Sequence, residues 1–126
     1  MKTQISTTNA PGAVGPYSQA IKTGNTLYIS GQLPIDPDTG KMCEGSIEEC
    51  TRQVLENLKA IITEAGGSLD NVVKTTVFMA DMSNFLEANG VYSEYFSQPF
   101  PARSAFQVAA LPLGGRIEIE AIAVLN

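Results

Sequence analysis

Ser46-Ile47-Glu48-Glu49-Cys50-Thr51-Arg52-Gln53-Val54-Leu55-Glu56-Asn57-Leu58-Lys59-Ala60-Ile61-Ile62-Thr63-Glu64-Ala65-Gly66-Gly67, followed by Ser68-Leu69-Asp70 and then Val72-Val73-Lys74-Thr75-Thr76-Val77-Phe78-Met79, sets the architecture. Ser46 with Glu49 three residues on is a capping box, in which each side chain bonds the other residue's backbone N–H, so a helix starts there. Ile47, Cys50, Val54, Leu58, Ile61, Ile62 and Ala65 recur at helical spacing, while Arg52, Glu56, Lys59 and Thr63 fall on the opposite, solvated face. Gly66-Gly67 supplies the stop, because glycine accepts a left-handed backbone without a Cβ clash. The β-branched run from Val72 to Met79 then reads as a strand, and strand, helix, strand suggests a βαβ crossover.

Working outward, Tyr17 to Thr23 and Thr26 to Ser30 flank Gly24-Asn25, a two-residue turn between apolar runs that predicts a hairpin behind a first N-terminal strand. Gly31, Pro34, Pro37 and Asp38-Thr39-Gly40 predict that the chain leaves the sheet after Ser30. Gly31 reads either as a β-bulge or as a point of close backbone approach to a ligand. A second helix is expected from Ser83 to Phe96, with Phe85, Ala88, Tyr92 and Phe96 inward and the weak helix formers Asn89-Gly90 in its middle. Pro101–Val108 and Arg116–Ala123 read as two strands joined across Gly114-Gly115. Side chains alternate along a strand, which places Arg103, Ala105 and Gln107 on one face of the first and Glu118 and Glu120 on one face of the second, with arginine and carboxylates lining one surface. The result is one α+β domain over 1–126, with a five- or six-stranded mixed sheet and both helices on one face. Ala105, Ile122 and Val124 on the other face predict that a second copy of the chain covers it.

Composition excludes several functions. The chain has no histidine, which removes imidazole bases and the commonest metal ligand, and its only cysteines are Cys43 and Cys50. No metal site and no cofactor are expected, and the two cysteines read as core packing and an incidental thiol rather than a disulfide. A net charge of −5 disfavours nucleic acid as a partner. No apolar run approaches the roughly 18 residues of a membrane span, and no signal-like segment opens the sequence, so no membrane association and a cytoplasmic location are expected.

Arg103 carries the strongest chemical signal. Its planar, permanently charged fork matches a carboxylate through two parallel hydrogen bonds, so a half-buried arginine at a strand start suggests a site for a small anion. An internal ion pair with Glu118 or Glu120 fits the same spacing. Either glutamate, with its pKa raised on a covered sheet face, can position or deprotonate water, although alternating Ile and Glu also describes an ordinary surface strand. Tyr17 offers a phenol to a pocket or packs under a loop. Gly114-Gly115 is too short for a phosphate loop.

Gly15-Pro16-Tyr17-Ser18-Gln19-Ala20, Ser30-Gly31-Gln32, Pro101-Ala102-Arg103-Ser104 and Ile117-Glu118-Ile119-Glu120-Ala121-Ile122-Ala123 together resemble the RidA/YjgF family of reactive intermediate deaminases, and the match covers nearly the whole chain. The resemblance implies a chorismate-mutase-like subunit in a homotrimer with clefts between neighbours. It also implies hydrolysis of 2-iminobutanoate or 2-iminopropanoate to 2-oxoacids and ammonia. By that pattern Arg103 clamps the substrate carboxylate and Glu118 holds the attacking water, with Tyr17, Ser30, Gly31 and Asn89 at matching pocket positions. Ala105 stands where many members carry cysteine. Its backbone N–H and C=O are retained, so deaminase activity is expected not to depend on a thiol. The competing functions are a carboxylate-sensing binding protein without turnover and an endoribonuclease, an activity reported under some family names.

Overall fold

The capping box forms: Ser46 N–H donates to Glu49 Oε1 and Glu49 N–H donates to Ser46 Oγ, both at 3.1 Å. Helix α1, Ile47–Glu64, follows in this computed structural model, which describes residues 1–126. It ends as expected. Gly66, at φ 92°, donates to the Thr63 carbonyl and Gly67 to that of Ile62, the paired bonds of a Schellman stop.

The strands are β1 Lys2–Ile5, β2 Ala20–Thr23, β3 Thr26–Gln32, β4 Val72–Met79, β5 Ala102–Gln107 and β6 Ile117–Val124, with helix α2 at Phe85–Tyr95. They form one six-stranded sheet in the order β1-β2-β3-β6-β4-β5. β4 and β5 run parallel, and every other pairing is antiparallel. β3 and β4 are each antiparallel to β6 and so parallel to one another. The crossover through α1 is therefore a βαβ unit with β6 slotted between its strands.

One side of the sheet carries the core. Ile117, Ile119, Ala121 and Ala123 of β6, Leu27 and Ile29 of β3, and Val77 and Met79 of β4 are buried with Val54, Leu55, Leu58, Ile61 and Ile62 of α1. Each of these side chains larger than alanine contributes about 1.5–3 kcal/mol by leaving water. α2 adds Ala88, Val91 and Tyr92, and the Tyr92 hydroxyl bonds Thr75 Oγ1 at 2.7 Å, so its buried oxygen is satisfied. No helix of the protein is long and apolar enough to cross a membrane.

Several expectations are corrected. The Pro101 and Arg116 strands are not neighbours: β4 lies between them, because α2 returns the chain parallel to the sheet's outer edge before the last segment crosses back. Ala105 faces the helices and packs on the core rather than the open side, where Ile122 and Val124 do lie. The first hairpin strand starts at Ala20, not Tyr17, since Gln19 turns its side chain inward to hold the preceding loop. β3 continues past Ser30 to Gln32, through a register shift against β6 between Ile29 and Gln32. α2 starts later than Ser83 because Asp81 first caps a short 3-10 turn, Met82–Asn84. Cys43 and Cys50 are joined as a disulfide with Cα atoms 5.4 Å apart, a spacing that the loop's path creates and local sequence does not encode.

Asn57, buried on α1, pins that loop by donating to the carbonyls of Leu33 and Ile35 at 3.1 and 3.0 Å. Asn57→Ala leaves both oxygens short of a donor and is expected to cost about 2 kcal/mol, read as a lower urea midpoint at unchanged m-value.

Candidate active site

Glu118 stands on β6 opposite Phe78 of β4 and faces away from the helices. On its other side β3 bulges, and a Cβ on Gly31 would lie 2.7 Å from Glu118 Oε2. The absent side chain is what lets the carboxylate fit: Gly31 lies at the register shift, as the bulge reading has it, and the group that approaches it closely is the chain's own Glu118. Glu118 lines a cavity of about 450 Å3 with Tyr17, Ser30, Gly31, Gln32 and the exposed Leu113. Burial, and then repulsion from Glu120, push the Glu118 pKa above the ordinary carboxylate range.

The walls of this cavity are held by amides. Gln19, 3% exposed, accepts from the Thr7 N–H at 2.7 Å and donates to the carbonyls of Thr7 and Pro11 at 3.0 and 2.7 Å. Ser30 Oγ donates to the Ser18 carbonyl at 2.6 Å, tying the loop to β3. Tyr17 is half exposed, and its hydroxyl accepts from the Val14 N–H at 3.4 Å.

Arg103 lies on β5, one of the two edge strands of the sheet, and points to the helix side. Its Nη1 donates to Asn89 Oδ1 at 2.7 Å, and its Cζ sits 4.8 Å from the Tyr92 ring and 5.2 Å from that of Phe85. Stacking on two rings and one fixed amide orients the guanidinium while leaving other N–H donors for a ligand. A second cavity, of about 400 Å3, opens here between Arg103, Asn89, Tyr92, Ser93, Phe100 and Pro101.

Two readings of Arg103 are thereby corrected. It is exposed rather than half-buried, and it makes no ion pair with Glu118 or Glu120; the chain's one salt bridge joins Arg52 to Glu94. Nor do arginine and glutamates line one surface. Arg103 is on the helix side and Glu118 and Glu120 on the other, with β4 between their strands. Tyr17, Ser30, Gly31 and Glu118 come together in one cavity, Asn89 and Arg103 in another, and Ala105 packs half-buried on β5. Sequence reasoning missed Phe85 and Tyr92 as the platform under Arg103. The signal was present: Phe85, Asn89 and Tyr92 are spaced i, i+4, i+7 and share one helix face.

Residues 7–125 match the family model described as Endoribonuclease L-PSP. The chain belongs to the RidA/YjgF family. It is 57% identical over 123 residues to a RutC family protein of Pyrococcus horikoshii, covering 98% of each chain. It is 52% identical to the human protein named 2-iminobutanoate/2-iminopropanoate deaminase, over 95% of this chain and 88% of that one. The crystal structure of RidA from the Antarctic bacterium Psychrobacter sp. superposes with a TM-score of 0.94 at 53% identity, covering 98% of this chain and 99% of the other.

A carboxyl group whose pKa is raised on folding binds protons more tightly folded than unfolded, so it costs stability as pH rises from the ordinary carboxylate value through the raised one. Glu118→Gln is therefore expected to raise the melting temperature at pH 7 and to leave it nearly unchanged at about pH 3, below both values. Removing the neighbouring charge with Glu120→Gln is expected to lower the Glu118 pKa, followed by carbon-13 NMR of the side-chain carboxyl.

Proposed function

We propose that this protein hydrolyses 2-iminobutanoate, 2-iminopropanoate and their enamine tautomers to the 2-oxoacid and ammonia, as a homotrimer of chorismate-mutase-like form. Each cleft joins the Glu118 side of one subunit to the Arg103 side of the next. The observation that carries the reading is the division of the site: an oriented cation and a carboxylate of raised pKa, each at an open cavity, lie on opposite sides of one sheet. A neighbouring copy brings them face to face. The likeness to the deaminases supports the choice of substrate.

In that cleft the Arg103 fork receives the substrate carboxylate, and Asn89 with the rings of Phe85 and Tyr92 fixes its plane. The imine carbon is electrophilic and hydrolyses in water unaided, so the site has little barrier to remove and positioning is a large part of its task. Glu118 takes a proton from the attacking water as the C–O bond forms and returns it to the nitrogen, which has received the C=N π pair, giving the carbinolamine; it then carries the hydroxyl proton to the same nitrogen as the C=O bond forms, the C–N bond breaks and ammonia leaves. A raised pKa suits a group that must both accept and donate near neutral pH. Ser30 and Tyr17 offer hydroxyls to the same cavity. Ala105 contributes through its backbone, so no thiol takes part.

The direct test generates 2-iminobutanoate with threonine dehydratase and follows 2-oxobutanoate release against semicarbazide trapping. Wild type is expected to accelerate release. Arg103→Ala is expected to lower kcat/KM about 10- to 100-fold through loss of charged hydrogen bonds, and Glu118→Gln to lower kcat about 100-fold. Refolding the two variants together restores about a quarter of the wild-type sites if every site takes Arg103 and Glu118 from different chains. No recovery in the mixture overturns the shared cleft. No acceleration by a folded wild type that still binds 2-oxobutanoate points instead to a carboxylate-sensing protein.

A further inference from the structure

Leu113 is the only non-glycine residue with a positive φ, 57°, and it occupies the middle of the 3-10 turn Pro112–Gly114. A Cβ there crowds the following carbonyl oxygen, and a γ-branched residue bears that penalty where glycine bears none. Burial within the subunit does not offset it, because Leu113 is 75% exposed. The side chain lines the Glu118 cavity. Val14, 84% exposed, lines the same cavity and is held through its N–H by the Tyr17 hydroxyl, while Gln19 grips the Pro11 carbonyl at the start of that segment. Two apolar side chains thus border the cavity, Val14 on a segment tied by Tyr17 and Gln19 and Leu113 in a tight turn, and Glu118 and Tyr17 are the only titratable groups in its lining, with no lysine or arginine among them.

We propose that Leu113, together with Val14, is a specificity-determining residue that selects 2-imino acids with unbranched apolar side chains longer than methyl and rejects those with acidic ones. The inference rests on the deaminase reading above. With the substrate carboxylate held by Arg103 and the imine carbon beside Glu118, the remaining substituent lies against this apolar wall. Each added methylene leaves water there, worth about fourfold in kcat/KM (about 0.8 kcal/mol) until the space is filled. A second carboxylate on the substrate would be desolvated beside Glu118 with no cation to meet it, which disfavours it strongly.

The test compares imines made in situ from alanine, 2-aminobutyrate, norvaline and glutamate by matching amino-acid oxidases, with semicarbazide reporting the imine that remains. Wild type is expected to show kcat/KM rising about fourfold per methylene along the first three and falling at least about tenfold for the glutamate-derived imine. Leu113→Gly is expected to flatten the rise while its melting temperature stays the same or increases, because glycine relieves the backbone. Val14→Ala is expected to flatten it in part. A merely structural Leu113 would instead lower the melting temperature and all rates together, and that result overturns the proposal. A flat wild-type series with clear acceleration overturns the specificity assignment alone. No acceleration of any imine overturns the deaminase reading and this inference with it.

Discussion

The two-residue period of β6 governs the rest of the structure. Ile117, Ile119, Ala121 and Ala123 must all face the helices to be buried, and a strand offers those four residues only one common face. Glu118 and Glu120 are thereby sent to the opposite face. A slip of one residue would put both carboxylates into the apolar core and four apolar side chains into water, so the register is enforced by burial of the core rather than by the site. Gly31 completes the arrangement, since any side chain on the bulge of β3 would occupy the space of the Glu118 carboxylate.

The same sheet sends the cation elsewhere. β5 is reached through α2 by a parallel crossover, which puts Arg103 at the edge and on the helix side, over Tyr92 and Phe85. Held apart in this way, Arg103 and Glu118 do not neutralise one another within the subunit. Each keeps unspent hydrogen-bonding capacity for a ligand, and within the subunit no guanidinium offsets the upward push on the Glu118 pKa. The proposed cleft between copies would let one chain carry both groups and use them together, which is why the oligomer belongs to the proposed chemistry rather than being added to it.

Buried amides do the local positioning. Gln19 grips the segment from Thr7 to Pro11, Asn57 grips the chain at Leu33 and Ile35, and Gln32 donates to the Ser30 carbonyl at 3.0 Å. No buried side-chain nitrogen or oxygen lacks a partner. Loops that would otherwise wander are tied to strands and to α1 at fixed points, so the Glu118 cavity has firm walls although few of its residues belong to regular structure. Leu113, with its positive φ, completes the lining from the 3-10 turn before β6. Gly90, in the middle of α2, has open space where a Cβ would go, and nothing in the subunit explains it.

Local physics made much of the molecule readable. The capping box at Ser46, the helical stripe from Ile47 to Ala65, the double-glycine stop, the Gly24-Asn25 turn and the alternation of β6 all depend on neighbours within a few residues; the box, the stop and the turn formed where expected, the stripe is buried from Ile47 to Ile62 with Ala65 at the cap, and the hairpin strands differ in their outer ends. Arg103, Glu118, Tyr17, Ser30, Gly31, Asn89 and Ala105 were likewise visible as chemistry or as motif. Which of them meet was not visible. The placement of β4 between β5 and β6, the stacking of Arg103 on α2 and the clamps made by Gln19 and Asn57 all join residues distant in sequence, and the closure of Cys43 on Cys50, only seven residues apart, depends on the path of the loop between them. Strand order is chosen by how the whole apolar surface is buried, a global minimum that no short window of residues contains, and that choice separated the cation from the carboxylates.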